Sequence, residues 1–308
     1  MTDYSTAYAN NIFEQPWWLD IVAPGSWKET VSRGKDGKVQ ARAVFVHDHK
    51  KVFMPEFTQT LGIWMDSTLQ ADYGRQKTII YELFEEINTY RDISFHLAPE
   101  NKYILPFRWM GYSLEPRFTY RLYGLPNPDS LYTGFNKTAK KNIKSAKNKV
   151  AIHRETDMDA LLGLLDKTFE AQNRKNPMNK DMIQKIVEAC DQNGAGQYLD
   201  ARDADGNIHS CAYFVFDEKT WYYLFGASHP DYKSSGAQSL VIWEGIQMAS
   251  KKSGIFDFEG SMIEGIENFF RQFGGECVPY YAVRKNGFLK EMVHVLKPRV
   301  KKLAGYKI

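Results

Sequence analysis

The sequence has little of what would settle a protein's class outright. Cysteine is scarce: three residues in 308, Cys190, Cys211 and Cys277. An odd number at wide spacing excludes a disulfide framework and a Cys-x-x-Cys metal site, and it fits a reducing, cytoplasmic setting. Charge of one sign is also lacking. The 40 Lys and Arg against 37 Asp and Glu leave a net charge of +3, too balanced to announce a nucleic-acid binder. No stretch approaches the roughly 20 apolar residues of a membrane span. Met1 to Gln15 is polar, without the basic start and apolar run of a signal peptide. Short repeats and low-complexity tracts are absent. The seven histidines show no metal-ligand spacing; His47 and His49 stand two apart in a polar turn. No Gly-x-Ser-x-Gly elbow, P-loop or Cys–His pairing occurs. These absences exclude secreted disulfide scaffolds, metal-site enzymes and the common nucleophilic hydrolases.

What is present is an ordinary apolar fraction, 43%, with an aromatic surplus of 14%. The length suits about two domains. In the first half, Val39 to Val46 reads as a strand after the turn Lys35-Asp36-Gly37. The polar His47 to Lys50 turns it into a second strand near Val52 to Met54. Ile80, Leu83, Phe84 and Ile87 form one helical face. Ile93 to Leu97 and Phe118 to Leu122 read as strands. Pro126 and Pro128 interrupt the pattern, which places a junction there: one domain over 1–130 and a second over 131–285, with 286–308 returning to complete the first. A basic helix, Asn136 to Val150, opens the second domain. Its thin apolar stripe is Ala139, Ile143 and Ala146, surrounded by Lys137, Lys140, Lys141, Lys144, Lys147 and Lys149.

Two amphipathic helices follow, around Leu161 to Phe169 and Ile183 to Cys190. Three antiparallel strands come next, at Gln197 to Arg202, His209 to Phe216 and Trp221 to Ala227. A helix from Gly236 to Lys252, a strand at Ile255 to Phe258, a helix at Ile263 to Phe270 and a strand at Tyr280 to Arg284 complete the order. That order resembles the acyl-CoA N-acyltransferase (GNAT) fold. The loop Lys233, Ser234, Ser235, Gly236, Ala237 and Gln238 opens a helix. A small-residue loop at a helix start supplies backbone N–H groups and a positive dipole end for a pyrophosphate. It is similar to the GNAT coenzyme A loop, with Gln238 where that loop ends on a small residue.

A second resemblance rests on the block Phe256-Asp257-Phe258-Glu259-Gly260-Ser261 and the following Gly265-Ile266 and Phe269-Phe270-Arg271-Gln272-Phe273-Gly274-Gly275. It looks like the signature of the Fem-type aminoacyltransferases and their GNAT-like relatives. Gln15-Pro16-Trp17-Trp18, Gly25-Ser26-Trp27, the loop Pro55 to Gly62 and the Lys-rich helix extend the resemblance over most of the chain as scattered motifs. It implies an α/β (α+β) architecture of two tandem GNAT-like domains, each a mixed, mostly antiparallel sheet flanked by helices. It implies transfer of an acyl or aminoacyl group to an amine of a cell-envelope or polysaccharide-related acceptor. The donor is acyl-CoA or aminoacyl-tRNA. One departure stands out: Phe270 occupies the position of a family Lys, and Arg271 is the nearest cation.

Amine acylation needs a base for the ammonium nucleophile, and a carboxylate of raised pKa in a semi-apolar cleft can serve. Glu259, at a strand end, is the candidate, and Asp257 is read as capping the following turn. Arg271 is the candidate for the missing cation. Arg174 is the acceptor candidate by resemblance; as a residue it equally reads as a cation closing a helix. Tyr223 and Tyr281 are read as cleft residues that contact substrate. No metal is expected. The Lys137–Lys149 helix, with Lys297, Arg299, Lys301, Lys302 and Lys307, offers tRNA or an anionic membrane surface a partner, and equally reads as a solvated face. The functions that stay open at this point are an N-acyltransferase, which the resemblance also allows to be a Fem-type tRNA-dependent peptidoglycan bridge aminoacyltransferase, a binding module that has lost the chemistry, and a nucleic-acid binder.

Overall fold

A computed structural model describes residues 8–260 and 262–286. Ser261, all but the first residue of the C-terminal return expected over 286–308, and with it the basic tail with Lys297, Arg299, Lys301, Lys302 and Lys307, lie outside the described residues. Chain packing defines two units. One comprises residues up to Arg117 together with those from Tyr280; the other is Phe118–Pro279. The sequence reading put the junction near Pro126 to Ser130. The packing instead divides the chain inside two strands, because those prolines mark only the passage from a strand to a short helix.

The first unit holds α1 (Pro16–Val22), β1 (Trp27–Arg33), β2 (Val39–Asp48), β3 (Lys51–Phe53), β4 (Ile63–Met65), α2 (Tyr73–Ile87), β5 (Asp92–His96), α3 (Leu105–Trp109) and the start of β6 (Ser113–Tyr123). β1, β2 and β3 pair antiparallel in sequence order, and β4 adds to β2. β5 joins β3 in parallel through Lys51–Asp92 and Val52–Ile93. A helix must connect parallel neighbours over such a distance, and α2 does so. Its face Ile79, Ile80, Leu83, Phe84 and Ile87 is buried against Phe45, Ile93, Phe95 and Phe107. Each such side chain contributes roughly 1.5–3 kcal/mol on leaving water. Asp72 begins α2, its Oδ1 accepting from the Arg75 N–H at 2.9 Å.

The second unit holds the rest of β6, α4 (Pro128–Gly134), α5 (Lys137–Lys147), β7 (Ala151–His153), α6 (Met158–Glu170), α7 (Lys180–Gln192), β8 (Gly196–Arg202), β9 (Ile208–Phe216), β10 (Thr220–Ser228), α8 (Ala237–Ala249), β11 (Ile255–Asp257), α9 (Glu264–Phe270) and the start of β12 (Glu276–Lys285). Its strand order is β6, β11, β10, β9, β8, β7. β8 to β10 form the expected antiparallel run, and β7, which the sequence did not announce, adds to β8. β11 pairs parallel to β10 and antiparallel to β6. The basic helix α5 is capped by Asn136, whose Oδ1 accepts from the Ala139 N–H at 2.8 Å. The stripe Ala139, Ile143 and Ala146 is fully buried, and α5 packs on α8. α8 buries Leu240, Val241, Ile242, Trp243 and Ile246. Among the described residues, no helix is long and apolar enough to cross a membrane.

Candidate active site

The second unit carries a fork. β10 and β11 pair in parallel only through Thr220–Ile255, Trp221–Phe256 and Tyr222–Asp257. β11 then ends, while β10 runs on to Ser228. A bulge between Tyr223 and Phe225 interrupts the pairing of β10 with β9 just past the fork. Bulges bend a strand and re-aim its polar groups, and they gather beside functional sites.

Glu259 sits where β11 has just ended. Its φ is +58°, unusual for a residue with a Cβ, and Gly260 follows at +67°. Only glycine fits the second position. A Cβ on Gly260 would meet the Phe118 carbonyl oxygen at 2.1 Å and the Thr119 Cα at 2.6 Å. The turn is held by Asp257. One oxygen of that carboxylate accepts from the Glu259 N–H at 2.7 Å and from the Thr119 hydroxyl at 2.5 Å. The other accepts from Arg121 Nε at 2.6 Å. Asp257 and Arg121 are both buried. Asp257 therefore has the capping role its position suggested. Thr119 and Arg121, which complete its shell, are not evident from the sequence. The one available signal is that they alternate with the core residues Tyr120 and Leu122 on β6.

The Glu259 side chain is different. The residue as a whole is half-buried, yet its Oε1 is fully buried and has no hydrogen-bond partner. Burial, and secondarily the charge of Asp257, raise its pKa well above the ordinary carboxylate value. A buried carboxyl with an unsatisfied oxygen is costly to keep, and such groups concentrate at functional sites.

Tyr223, half-buried beside the bulge, accepts a hydrogen bond from Gln238 Nε2 at 2.9 Å. Gln238 Oε1 in turn accepts from the hydroxyls of Ser228, at 2.9 Å, and Ser210. Burial pushes the Tyr223 phenol well up from its ordinary pKa, so it stays protonated with its own proton free to donate. Gln238, the departure in the loop, thus serves as an internal brace between α8, β9 and β10.

Elsewhere in the loop, Lys233 and Ser234 are exposed. Ser235 is buried, its hydroxyl accepting from the Ala237 N–H at 3.2 Å. Gly236 caps α8 with φ +83°. A Cβ there would approach the Asn142 carbonyl oxygen on α5 at 2.4 Å. The glycine is thus required by helix packing. Gly236→Ala should cost about 2 kcal/mol through strain at positive φ and displacement of α5. Chemical denaturation of the variant checks this.

Phe270 is buried, with its ring 5.7 Å from Tyr223 and 5.2 Å from Phe258. The position where the family pattern has a cation is filled here as core. Phe270→Lys should lose about 2 kcal/mol, because an ammonium replaces a packed ring; thermal unfolding reports it. Arg271 is exposed and ion-paired to Glu267 at 3.1 Å, with a further bond to Asn268. It stands just past the end of α9, with its side chain at the surface. Arg174 is exposed just after α6, its guanidinium 5.7 Å from the Phe169 ring centre, and its backbone N–H donates to the Phe169 carbonyl. Tyr281 belongs to the first unit, where its carbonyl accepts from the Leu97 N–H at 2.8 Å. At the fork the structure joins Tyr223 to Gln238 of the loop, and it sets Glu259 two residues beyond Asp257, the last β11 residue paired with β10. Among the described residues, no group of three or more His, Cys, Asp or Glu is placed to hold a metal ion.

Residues 134–271 match the model of an acetyltransferase (GNAT) domain. No curated protein sequence matches the chain. Among solved structures, FemX is 12% identical with a TM-score of 0.67, over 89% of this chain and 92% of its own. L-PGS from Bacillus licheniformis is 11% identical with a TM-score of 0.55, over 87% and 88%. A tandem GNAT protein from the clavulanic acid biosynthesis pathway is 10% identical with a TM-score of 0.54, over 87% and 93%. The fork, the bulge and the helix-opening loop all fall within the segment that matches the GNAT domain model, and the chain shares its fold with FemX and with a tandem GNAT protein.

Proposed function

We propose that the protein transfers an acyl or aminoacyl group to an amine, with Glu259 as the base. The observation that carries this reading is the buried, unpartnered Glu259 oxygen at the end of β11, where β10 and β11 part. The donor carbonyl lies along the free edge of β10 beside the bulge. Its phosphates meet Lys233, Ser234 and the backbone at the start of α8. Glu259 accepts a proton from the ammonium form of the acceptor. The freed amine lone pair attacks the carbonyl carbon, and the backbone N–H groups of the bulge stabilise the oxyanion. As the tetrahedral intermediate collapses, the C–N bond stays. The bond to the donor sulfur, or to oxygen if the donor is an aminoacyl ester, breaks with its electron pair. The Tyr223 hydroxyl supplies a proton to the leaving atom and is restored by the second proton, which the acceptor nitrogen sheds as it becomes an amide. Acyl-CoA suits the pyrophosphate-type loop. The exposed Lys137, Lys141, Lys144 and Lys147 on α5, with Lys149 after it, suit the backbone of a tRNA or anionic headgroups equally. Arg174 is the acceptor-steering residue of this scheme. The cell-envelope or polysaccharide amine follows from the resemblance, and the cytoplasmic setting from the scarce, widely spaced cysteines.

Calorimetric titration with acetyl-CoA and with aminoacyl-tRNA tests the donor, and a salt series tests α5. Binding that weakens steeply with salt and is lost with α5 lysine-to-glutamine changes identifies a polyanionic donor. No binding of either donor class would remove the proposal. A second reading, a binding module without catalysis, is favoured by one observation: Phe270 leaves no cation at that position. Single-turnover transfer by the unmodified protein would exclude it.

A further inference from the structure

The first unit repeats the strand–helix–strand arrangement of the second. β3 and β5 pair in parallel and are joined through α2, as β10 and β11 are joined through α8. The segment entering α2 and the segment leaving β5 therefore stand where the second unit has its helix-opening loop and its Glu259 turn. A cavity of about 390 Å³ lies there, bounded by Gln70, Tyr73 and Gln76 at the helix start and by Glu100, Lys102 and Tyr103 beyond β5.

The chemistry of this second cleft has changed. The start of α2 is already occupied by a carboxylate, because Asp72 accepts from the Arg75 N–H. Asp66 caps the short turn before it, accepting from the Thr68 N–H at 2.9 Å and hydroxyl at 2.6 Å. Two carboxylates at a helix entry oppose a pyrophosphate. The two charged side chains of the lining, Glu100 and Lys102, are of opposite sign. Aromatic faces take the place of the anion site. Tyr73 is 59% exposed and its ring centre lies 5.0 Å from that of Tyr103. Trp109, 53% exposed, is 6.4 Å further along from Tyr103. Exposed aromatics that cluster at a cavity mark a binding surface. Gln76 is fixed as well: its Nε2 donates to the carbonyls of Leu69 at 2.7 Å and Gln70 at 3.0 Å, which leaves its Oε1 as an acceptor at the cavity.

We propose that the first-unit cavity binds a neutral sugar ring. The tyrosine faces take its C–H surface, and the planar amides and carboxylate take its hydroxyl edge. The absence of a net positive lining disfavours phosphorylated ligands. The site is independent of the transfer reaction proposed above. The test uses the full chain, with N-acetylglucosamine and glucose as probes and glucosamine 6-phosphate and coenzyme A as anionic controls, read by saturation-transfer NMR and calorimetry. The expected result is millimolar binding of at least one neutral sugar, with the phosphate ester weaker. Tyr73→Ala should weaken it about tenfold, that is about 1.4 kcal/mol, while Tyr73→Phe leaves it within about twofold. Tyr73 is largely exposed, so both variants should keep the unfolding temperature of the parent. No sugar signal at about 50 mM, sugar affinity untouched by Tyr73→Ala, or the phosphate ester binding as well as the neutral sugar would each overturn the proposal.

Discussion

Glu259→Gln should reduce transfer by about 10²- to 10⁴-fold, the usual range for loss of a positioned base, and at the same time make the protein more stable at neutral pH. The two effects share one cause. In the folded chain the carboxyl sits with a buried, unpartnered oxygen, so its pKa is raised well above the ordinary value of 4.5. Below pH 4.5 the group is protonated in both the folded and the unfolded chain and contributes nothing to the pH dependence. As pH climbs past that value the unfolded chain ionises first, and folding becomes progressively less favourable until the folded-state pKa is passed. At higher pH the penalty is constant. A neutral glutamine of the same shape removes it, and its amide nitrogen places a donor in the same site. The parent should therefore lose stability as pH rises through the window between the two pKa values, and the variant should not. Activity should follow the opposite limb: kcat/KM rises with pH as the carboxyl gains its charge, with an apparent pKa above the ordinary carboxylate range. Denaturation across pH and a pH–rate profile read the two limbs independently. A glutamine variant that is inactive and no more stable would mean that Glu259 is part of the scaffold. One that is more stable yet fully active would take the base role from it.

The sequence made some of this visible, and the physical reason differs from feature to feature. Helix α2 is legible because Ile80, Leu83, Phe84 and Ile87 repeat at the helical period and all are buried. The strands β8 to β11 are legible because aromatic and β-branched residues cluster between turn signals. The edge strand β1, Trp27-Lys28-Glu29-Thr30-Val31-Ser32-Arg33, is polar and carries almost no such signal; only its pairing with β2 makes it a strand. The short helices α1, α3 and α4 each begin near a proline and are too brief to show a period. At the site, Glu259 is legible from its place at a strand end, since strand ends in such folds carry functional groups. That its oxygen lacks a partner is not, because burial is a property of the assembled fold. The partners of Asp257 come from β6, more than a hundred residues earlier, and no local pattern connects them. Arg271 shows the converse. Adjacency in sequence made it a substitute for the missing lysine, but neighbouring residues on a helix face different directions. The structure buries Phe270 and leaves Arg271 in solvent.

Asp257→Ala should destabilise the protein by about 3–5 kcal/mol, the usual cost of removing one partner of a buried ion pair. Three groups lose their acceptor together: Arg121 Nε, the Thr119 hydroxyl and the Glu259 N–H. The first leaves a buried guanidinium without this carboxylate, which is the largest part of the loss. The last releases a turn whose backbone stands at positive φ in two successive residues. Such a conformation persists only where its surroundings impose it. Asp257→Asn keeps the shape and one acceptor oxygen, so it should recover part of the stability. It should recover less of the activity, because an amide nitrogen now stands toward either Arg121 or the Glu259 N–H. The two variants separate scaffold from positioning. If Asp257 only stabilises, transfer per folded molecule stays at the parent value in Asp257→Asn. If it aims Glu259, kcat falls while the affinity for donor is kept, and the pH–rate profile shifts downward as the second negative charge near Glu259 is removed. An Asp257→Asn protein with parental kcat and an unmoved profile would reduce Asp257 to a structural brace and leave Glu259 positioned by its glycine neighbour alone.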